Sequence, residues 1–238
     1  MISINTNYGG IFAAKASSQS QLQIDQAMER LSTGKRINHA RDDAAGQAIA
    51  TRLSAEIEGL AMASRNVADG QSLVDTAEGA LVETHALLLR MREIGVQAAN
   101  GTLSSSDNAA LDAEFQQLVA EIDRISDNTS WAGTKLLNGD ATGDYNTSAT
   151  FTFQAGVNNA TADRITIEVK NADSATLGVQ DLTAGVNVVN LLDMTNAQEA
   201  ITKVDDAIAS VSAERGKLGA VSNRMSSTMA NLDQITVN

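Results

Sequence analysis

An apolar side chain recurs at every seventh position in the first half of this sequence, and this repeat most restricts the possible folds. The positions are Leu53, Leu60, Val67, Val74, Leu81 and Leu88. Such spacing predicts one continuous apolar seam along an amphipathic helix. The 238 residues include no Pro, which would remove a backbone donor and break the helix. We therefore expect one helix over about 45–98, roughly 80 Å long, as in a coiled coil or an extended bundle.

Two further amphipathic helices are predicted. A turn cluster at 100–107 precedes the first, whose apolar positions include Phe115 and Ile122, and the short connection makes it antiparallel to the long helix. The last helix is predicted from about 196 to the end, with Thr195 and Gln198 as a capping box. Its seam repeats every seven residues at Val204, Val211, Leu218, Met225 and Leu232. The three helices can bury their seams against one another.

The segment between 138 and 194 has a different pattern, in which apolar and polar residues alternate. Phe151 and Phe153 alternate with Thr, and Ile165 and Ile167 alternate with Thr166 and Glu168. This period of two predicts a β-hairpin, and a further short strand is predicted within 186–192. We therefore expect a mainly α fold: a long antiparallel helical bundle or coiled coil with a small β-hairpin insert.

The first 43 residues predict a helix that has no obvious partner. Its clearest apolar positions are Leu22, Met28 and Leu31, and a Ser-Thr-Gly sequence at 32–34 interrupts it. The last helix is already committed to the bundle, so the remaining chain offers no free apolar face. Such a terminus indicates a partner chain or a segment outside this sequence, and a frayed terminus is the alternative.

Composition excludes several functional classes. A formal charge of −12 argues against nucleic-acid binding, which needs a basic surface. With no Cys and two His, a thiolate site or a zinc cage is not expected. No run of residues is apolar enough for membrane insertion, and no common catalytic motif occurs. Asp42 and Asp43 are interpreted as a solvated helix start, so we predict no enzyme activity and no catalytic, cofactor-binding or metal site.

Several ordered motifs resemble bacterial flagellin. They include MERLSTGKRIN at 28–38, DDAAGQAIA at 42–50, VQAANG at 96–101 and EIDRIS at 121–126. The similarity covers about 1–140 and 195–238. Flagellin's C-terminal helix continues beyond the part matched here, so the resemblance implies a short form whose C-terminal segment, the partner of residues 1–31, lies outside this sequence.

The resemblance implies a structural subunit that self-assembles into the extracellular flagellar filament and serves motility. Residues 1–43 would belong to the inner tube, residues 44–140 and 195–238 to the helical wall domain, and 141–194 to its β-containing insert. Type III export would replace a cleaved leader. Expected partners are other flagellin subunits, an export chaperone, the cap protein and the vertebrate flagellin receptor. The alternatives are a hook–filament junction protein and a cell-surface homologue that binds an extracellular ligand such as a polysaccharide.

The resemblance also implies one surface for subunit packing and receptor recognition. Arg90 and Glu114 match residues of flagellins that the receptor recognises, and Ile94 stands where Leu is usual. Arg90 and Ile94 are four residues apart, which places them on one face of a helix. Packing alone is the alternative interpretation.

Overall fold

The computed structural model describes residues 7–138, 148–180 and 189–238, and it is mainly helical. Within these ranges, four helices and two antiparallel strand pairs follow one another, together with a short 3-10 helix at Thr161–Asp163. The chain divides into two compact units, residues 1–58 and 59–238. The elements are α1 (Tyr8–Thr33), α2 (Ala44–Ala98), α3 (Ser105–Asn128), β1 (Ser130–Trp131), β2 (Thr134–Lys135), β3 (Ala149–Gln154), β4 (Arg164–Val169) and α4 (Met194–Val237).

The first unit is ordered by local hydrogen bonds. The Asn7 side chain caps α1 by accepting the Gly10 N–H at 3.0 Å. The helix ends at Gly34, whose φ of 67° lies in the left-handed region that glycine adopts without strain. Before α2, the Asp43 carboxylate accepts the Gly46 N–H at 2.8 Å, so this acidic residue is part of a solvated helix start, as predicted. No described residue of this unit is buried.

Three contacts show that α2 and α4 are antiparallel in the second unit. Position numbers rise along α2 as they fall along α4: Gln71 hydrogen-bonds Ser222 at 2.7 Å, and Arg92 pairs with Asp205 at 2.7 Å. The Cβ position of Gly95 lies 3.1 Å from Ile201. Small buried residues, including Ala63, Ala77, Ala200 and Ala207, are present on both helices. The predicted long antiparallel packing is confirmed.

A capping box starts α3 after the turn cluster. Ser104 accepts the Asp107 N–H, and the Asp107 carboxylate accepts the Ser104 N–H at 3.0 Å. The Asp107 carboxylate also accepts the Ser104 hydroxyl at 2.7 Å, and this bond, followed by the one from the Ser104 N–H, lowers the pKa of Asp107. The helix buries Phe115, Val119 and Ile122 in the common core of the unit.

The β-hairpin insert is also present. β3 and β4 pair antiparallel, with Phe151 opposite Ile167 and Phe153 opposite Ile165. Alternate residues of β4 face the core, so Ile165, Ile167 and Val169 are buried. Residue 170, just after β4, donates its backbone N–H to the buried Glu214 carboxylate on α4 at 3.2 Å. This bond ties the insert to the helical core.

Three local features differ from the sequence predictions. The N-cap of α4 is Asp193, which accepts the Asn196 N–H at 2.9 Å, so the predicted Thr195 capping box is wrong. A small hairpin, β1–β2, was not predicted; its turn places Ala132 at φ 48° and Gly133 at φ 85°. Of the strand predicted within 186–192, residues 186–188 lie outside the described residues, and 189–192 are not a strand.

Two glycines of α2 offer a test of the packing. A Cβ on Gly70 would lie 2.6 Å from the Met225 methyl carbon and 3.2 Å from the Phe153 ring, whereas one on Gly79 would meet nothing within 4 Å. We expect Gly79→Ala to stabilise the protein by about 0.5–1 kcal/mol, because alanine loses less backbone entropy in a helix. We expect Gly70→Val to destabilise it by about 1–3 kcal/mol through overpacking.

Urea denaturation followed by circular dichroism would measure both free energies of unfolding. Equal effects of the two substitutions would contradict the close approach of α4 and the hairpin to α2 at Gly70.

Candidate functional site

The predicted seam residues mark the contact between α2 and α4. Ten of the eleven are at most 6% exposed. Leu53 differs: it is 47% exposed and lies in the first unit, where no described residue forms a core. The buried ten are Leu60, Val67, Val74, Leu81, Leu88, Val204, Val211, Leu218, Met225 and Leu232.

Arg90 and Glu114 form an ion pair that bridges α2 and α3. The Arg90 Nη2 lies 2.8 Å from Glu114 Oε1, and its Nε donates to the same oxygen at 3.2 Å. Its Nη1 donates to Glu93 one turn further along α2 at 3.1 Å. The hydrogen bond to Glu114 is the main cause that raises the pKa of Arg90. Both side chains of the bridge are about half exposed, so they form a charged surface over the α2–α3 junction.

Ile94 does not share that surface. It is 1% exposed and belongs to the core, whereas the exposed fraction of the Arg90 side chain is 52%. The four-residue spacing places both on neighbouring turns, but the helix stripe that faces the core includes Ile94 and leaves Arg90 at its edge. The predicted trio is therefore a charged surface pair above a packing residue.

The described part of the first unit exposes many large apolar side chains. Ile24, Met28 and Leu31 follow one face of α1 and are 54%, 63% and 81% exposed. Met28, Leu31 and Leu22 were predicted apolar positions of the first helix and Leu53 a seam residue, whereas the other members of this surface were not predicted. The complete set, called here the exposed apolar surface, is Tyr8, Ile11, Phe12, Leu22, Ile24, Met28, Leu31, Ile49, Leu53 and Ile57. These side chains lie on more than one face of α1 and on the first turns of α2, and exposed apolar area of this extent marks interaction sites.

A second apolar stripe lies on the outer side of α2. Val82, Leu89 and Val96 are spaced by seven residues and are 40%, 45% and 52% exposed. The spacing alone could have revealed this stripe, but the stronger buried seam on the same helix concealed it. Leu89 is next to Arg90 in the chain, so the charged pair and the apolar stripe adjoin on the surface of the second unit.

Other polar clusters in the described residues have structural roles. Glu214 is 5% exposed, and its carboxylate accepts the residue 170 N–H and pairs with Lys217 at 3.3 Å. Within the described ranges, no group of three His, Cys, Asp or Glu residues could hold a metal ion. No helix in the described part of the chain is long and apolar enough to cross a membrane.

Comparison with known proteins identifies the family. The model of the bacterial flagellin N-terminal helical region matches residues 4–142, and that of the C-terminal helical region matches 201–238. A flagellin of Halalkalibacterium halodurans is 44% identical over 91% of this chain and 74% of its own length. A flagellin of Bacillus subtilis is 41% identical over 96% of this chain and 81% of its own length.

A solved structure agrees with the sequence matches. The crystal structure of Bacillus cereus flagellin is similar with a TM-score of 0.55 and 32% identity, over 71% of this chain and 88% of that one. The predicted structural role, without enzyme activity, is therefore confirmed by the family. This chain belongs to the bacterial flagellins, the structural subunits of the flagellar filament.

Proposed function

We propose that the exposed apolar surface of residues 1–58 packs against neighbouring subunits in the filament. The observation that carries this proposal is the absence of any buried residue among 7–58, although ten large apolar side chains are exposed there. An isolated helix is only marginally stable in water, and helices in proteins are stabilised mainly by packing of their apolar face. Burial in an assembly would contribute about 1.5–3 kcal/mol for each fully covered side chain.

The division of roles along the chain is also a proposal. Residues 1–43 would line the inner tube, and residues 44–140 and 195–238, with the insert 141–194, would form the wall of an extracellular filament. In its support, all buried residues of the described chain lie in 59–238, so this part holds its own core. An export chaperone and the filament cap protein would be the partners before and during assembly.

Replacing two exposed apolar residues of α1 tests the packing proposal. We expect Ile24→Ser with Leu31→Ser to reduce incorporation of the chain into growing flagellin filament seeds at least tenfold, because two exposed apolar contacts are lost. The free energy of unfolding of the second unit should stay unchanged, since both side chains are exposed and belong to the first unit. Seeded elongation observed by electron microscopy and chemical denaturation would measure the two effects.

The matched control is Gln19→Ser with Gln23→Ser, which changes two exposed polar residues of the same helix. This control should elongate like the unchanged chain. Full incorporation of the Ile24 and Leu31 variant would contradict the proposal.

Arg90 and Glu114 are further proposed as part of a surface used for subunit packing and, in a vertebrate host, for recognition by the flagellin receptor. Their half-exposed charges and the adjoining Leu89 combine polar and apolar contact area, as protein interfaces do. Ile94 would act through packing beneath this surface.

Arg90→Ala should weaken binding to the receptor ectodomain about tenfold, the effect of losing a hydrogen bond to a charged group. Arg92→Ala is the matched control, because Arg92 is on the same helix but pairs with Asp205 of α4. Surface plasmon resonance would compare the two variants. Equal affinities would show that Arg90 does not contact the receptor.

A further inference from the structure

The charges of this chain are unevenly distributed between its two units. Residues 1–58 carry six Lys and Arg and six Asp and Glu, whereas residues 59–238 carry 11 and 23. The whole formal charge of −12 therefore lies in the second unit. Two copies of the second unit therefore repel each other. The first unit has no net charge, so the negative charge of the second unit does not repel it.

The connection between α1 and α2 contains acidic groups that are already engaged. Asp42 accepts the backbone N–H groups of Asn38 and His39 at 3.2 Å and 3.0 Å, and the Gln26 amide at 3.0 Å. The bond from His39 is the main cause that lowers the pKa of Asp42, so this carboxylate stays ionised and holds the turn. The carboxylate of Asp43 caps α2.

His39 of the same connection contacts Glu29 at 2.9 Å, whereas its Lys and Arg side chains have no ion pair in the described part of the chain. Lys35, Arg36 and Arg41 are exposed, and among the described residues none of them lies within ion-pair distance of a carboxylate. The acidic groups thus shape the turn, and the cations face solvent. Neighbouring unpaired cations on a held turn form a surface that attracts carboxylates.

Two of these cations border a groove. Lys35 and Arg36 line an open groove of about 660 Å³ together with Gln47, Thr51 and Ser54 of α2. Its lining also includes Ile37 and Ala50. The groove thus combines two cations, amide and hydroxyl groups and a small apolar area, the mixture found at protein interfaces.

We propose that this basic groove docks an acidic surface of residues 59–238 from a second copy of the chain. Charge complementarity selects the partner, because the second unit carries all of the chain's net negative charge. The exposed apolar surface on the same unit favours a protein over a polyanion, which would leave those side chains in water. The inference rests on the proposed packing of residues 1–58 against neighbouring subunits, and adds the electrostatic contact that directs it.

Sedimentation velocity of the full chain tests the groove with two variants of equal net charge. Lys35→Glu with Arg36→Glu reverses the groove cations, and Arg65→Glu with Arg224→Glu reverses two exposed cations of the second unit. At low salt, about 20 mM, we expect the groove variant to raise the self-association Kd at least tenfold and the control less than threefold. Raising the salt to about 300 mM should raise the self-association Kd of the unchanged chain towards that of the groove variant, because exposed charges are screened.

The outcomes separate this inference from the proposed function. Association of the unchanged chain that both variants weaken equally, or that salt does not affect, would overturn the groove and leave packing of residues 1–58 standing. No association of the unchanged chain at low salt would overturn both. Circular dichroism of each variant would verify that its helices are intact.

Carbodiimide cross-linking gives an independent measurement, since it joins a lysine only to a carboxylate in contact with it. In a mixture of isotope-labelled and unlabelled chains, we expect Lys35 to be joined to Asp or Glu residues within 59–238 of the other copy. Cross-links of Lys35 only within its own chain would overturn the proposal. Tight binding of a polyphosphate to the groove at about 150 mM salt, lost in the Lys35 and Arg36 variant, would assign the groove to anionic polymers instead.

Discussion

The antiparallel contact between α2 and α4 is the interaction on which the second unit depends. Ten buried seam residues and small buried residues such as Ala77 and Ala207 belong to the core that the two helices share. Gly70 leaves space for the Met225 methyl group and the Phe153 ring, so the hairpin rests where the two helices meet. α3 adds Phe115 and Ile122 to the same core. Close packing of this kind tolerates little change in volume.

The first unit follows a different physical rule. Its order comes from caps and side-chain-to-backbone hydrogen bonds at Asn7, Asp42 and Asp43, each of which satisfies N–H groups at a helix start or in a turn. Such bonds define where helices begin and end, but they bury no apolar area. The two units therefore differ: the second unit encloses an apolar core, and the described part of the first unit leaves its large apolar side chains exposed.

Much of the fold could be predicted because apolar residues recur in the sequence with the period of the helix or strand that they form. The same repeat that places Leu60 in the core includes Leu53, which is exposed, because a period identifies a face and does not supply its partner. Asp193 caps α4 although Thr195 is equally suited chemically, since the choice depends on where the preceding chain turns. Ala132 occupies a left-handed turn position without the usual Asn-Gly signal, so β1–β2 was missed. The Arg90–Glu114 bridge joins two helices, so its geometry could not be predicted without knowing how α2 and α3 pack.

The contrast between residues 7–58, none of which is buried, and the acidic second unit has a consequence for symmetry. When a molecule binds copies of itself through identical patches, two subunits satisfy each other and growth stops at a closed dimer. When unlike surfaces meet, each bound copy still offers the opposite surface to the next, and the series closes into a ring or continues as an open helix. An uneven distribution of charge and apolar area along one chain thus makes the subunit polar. A polymer that grows from such subunits has two different ends.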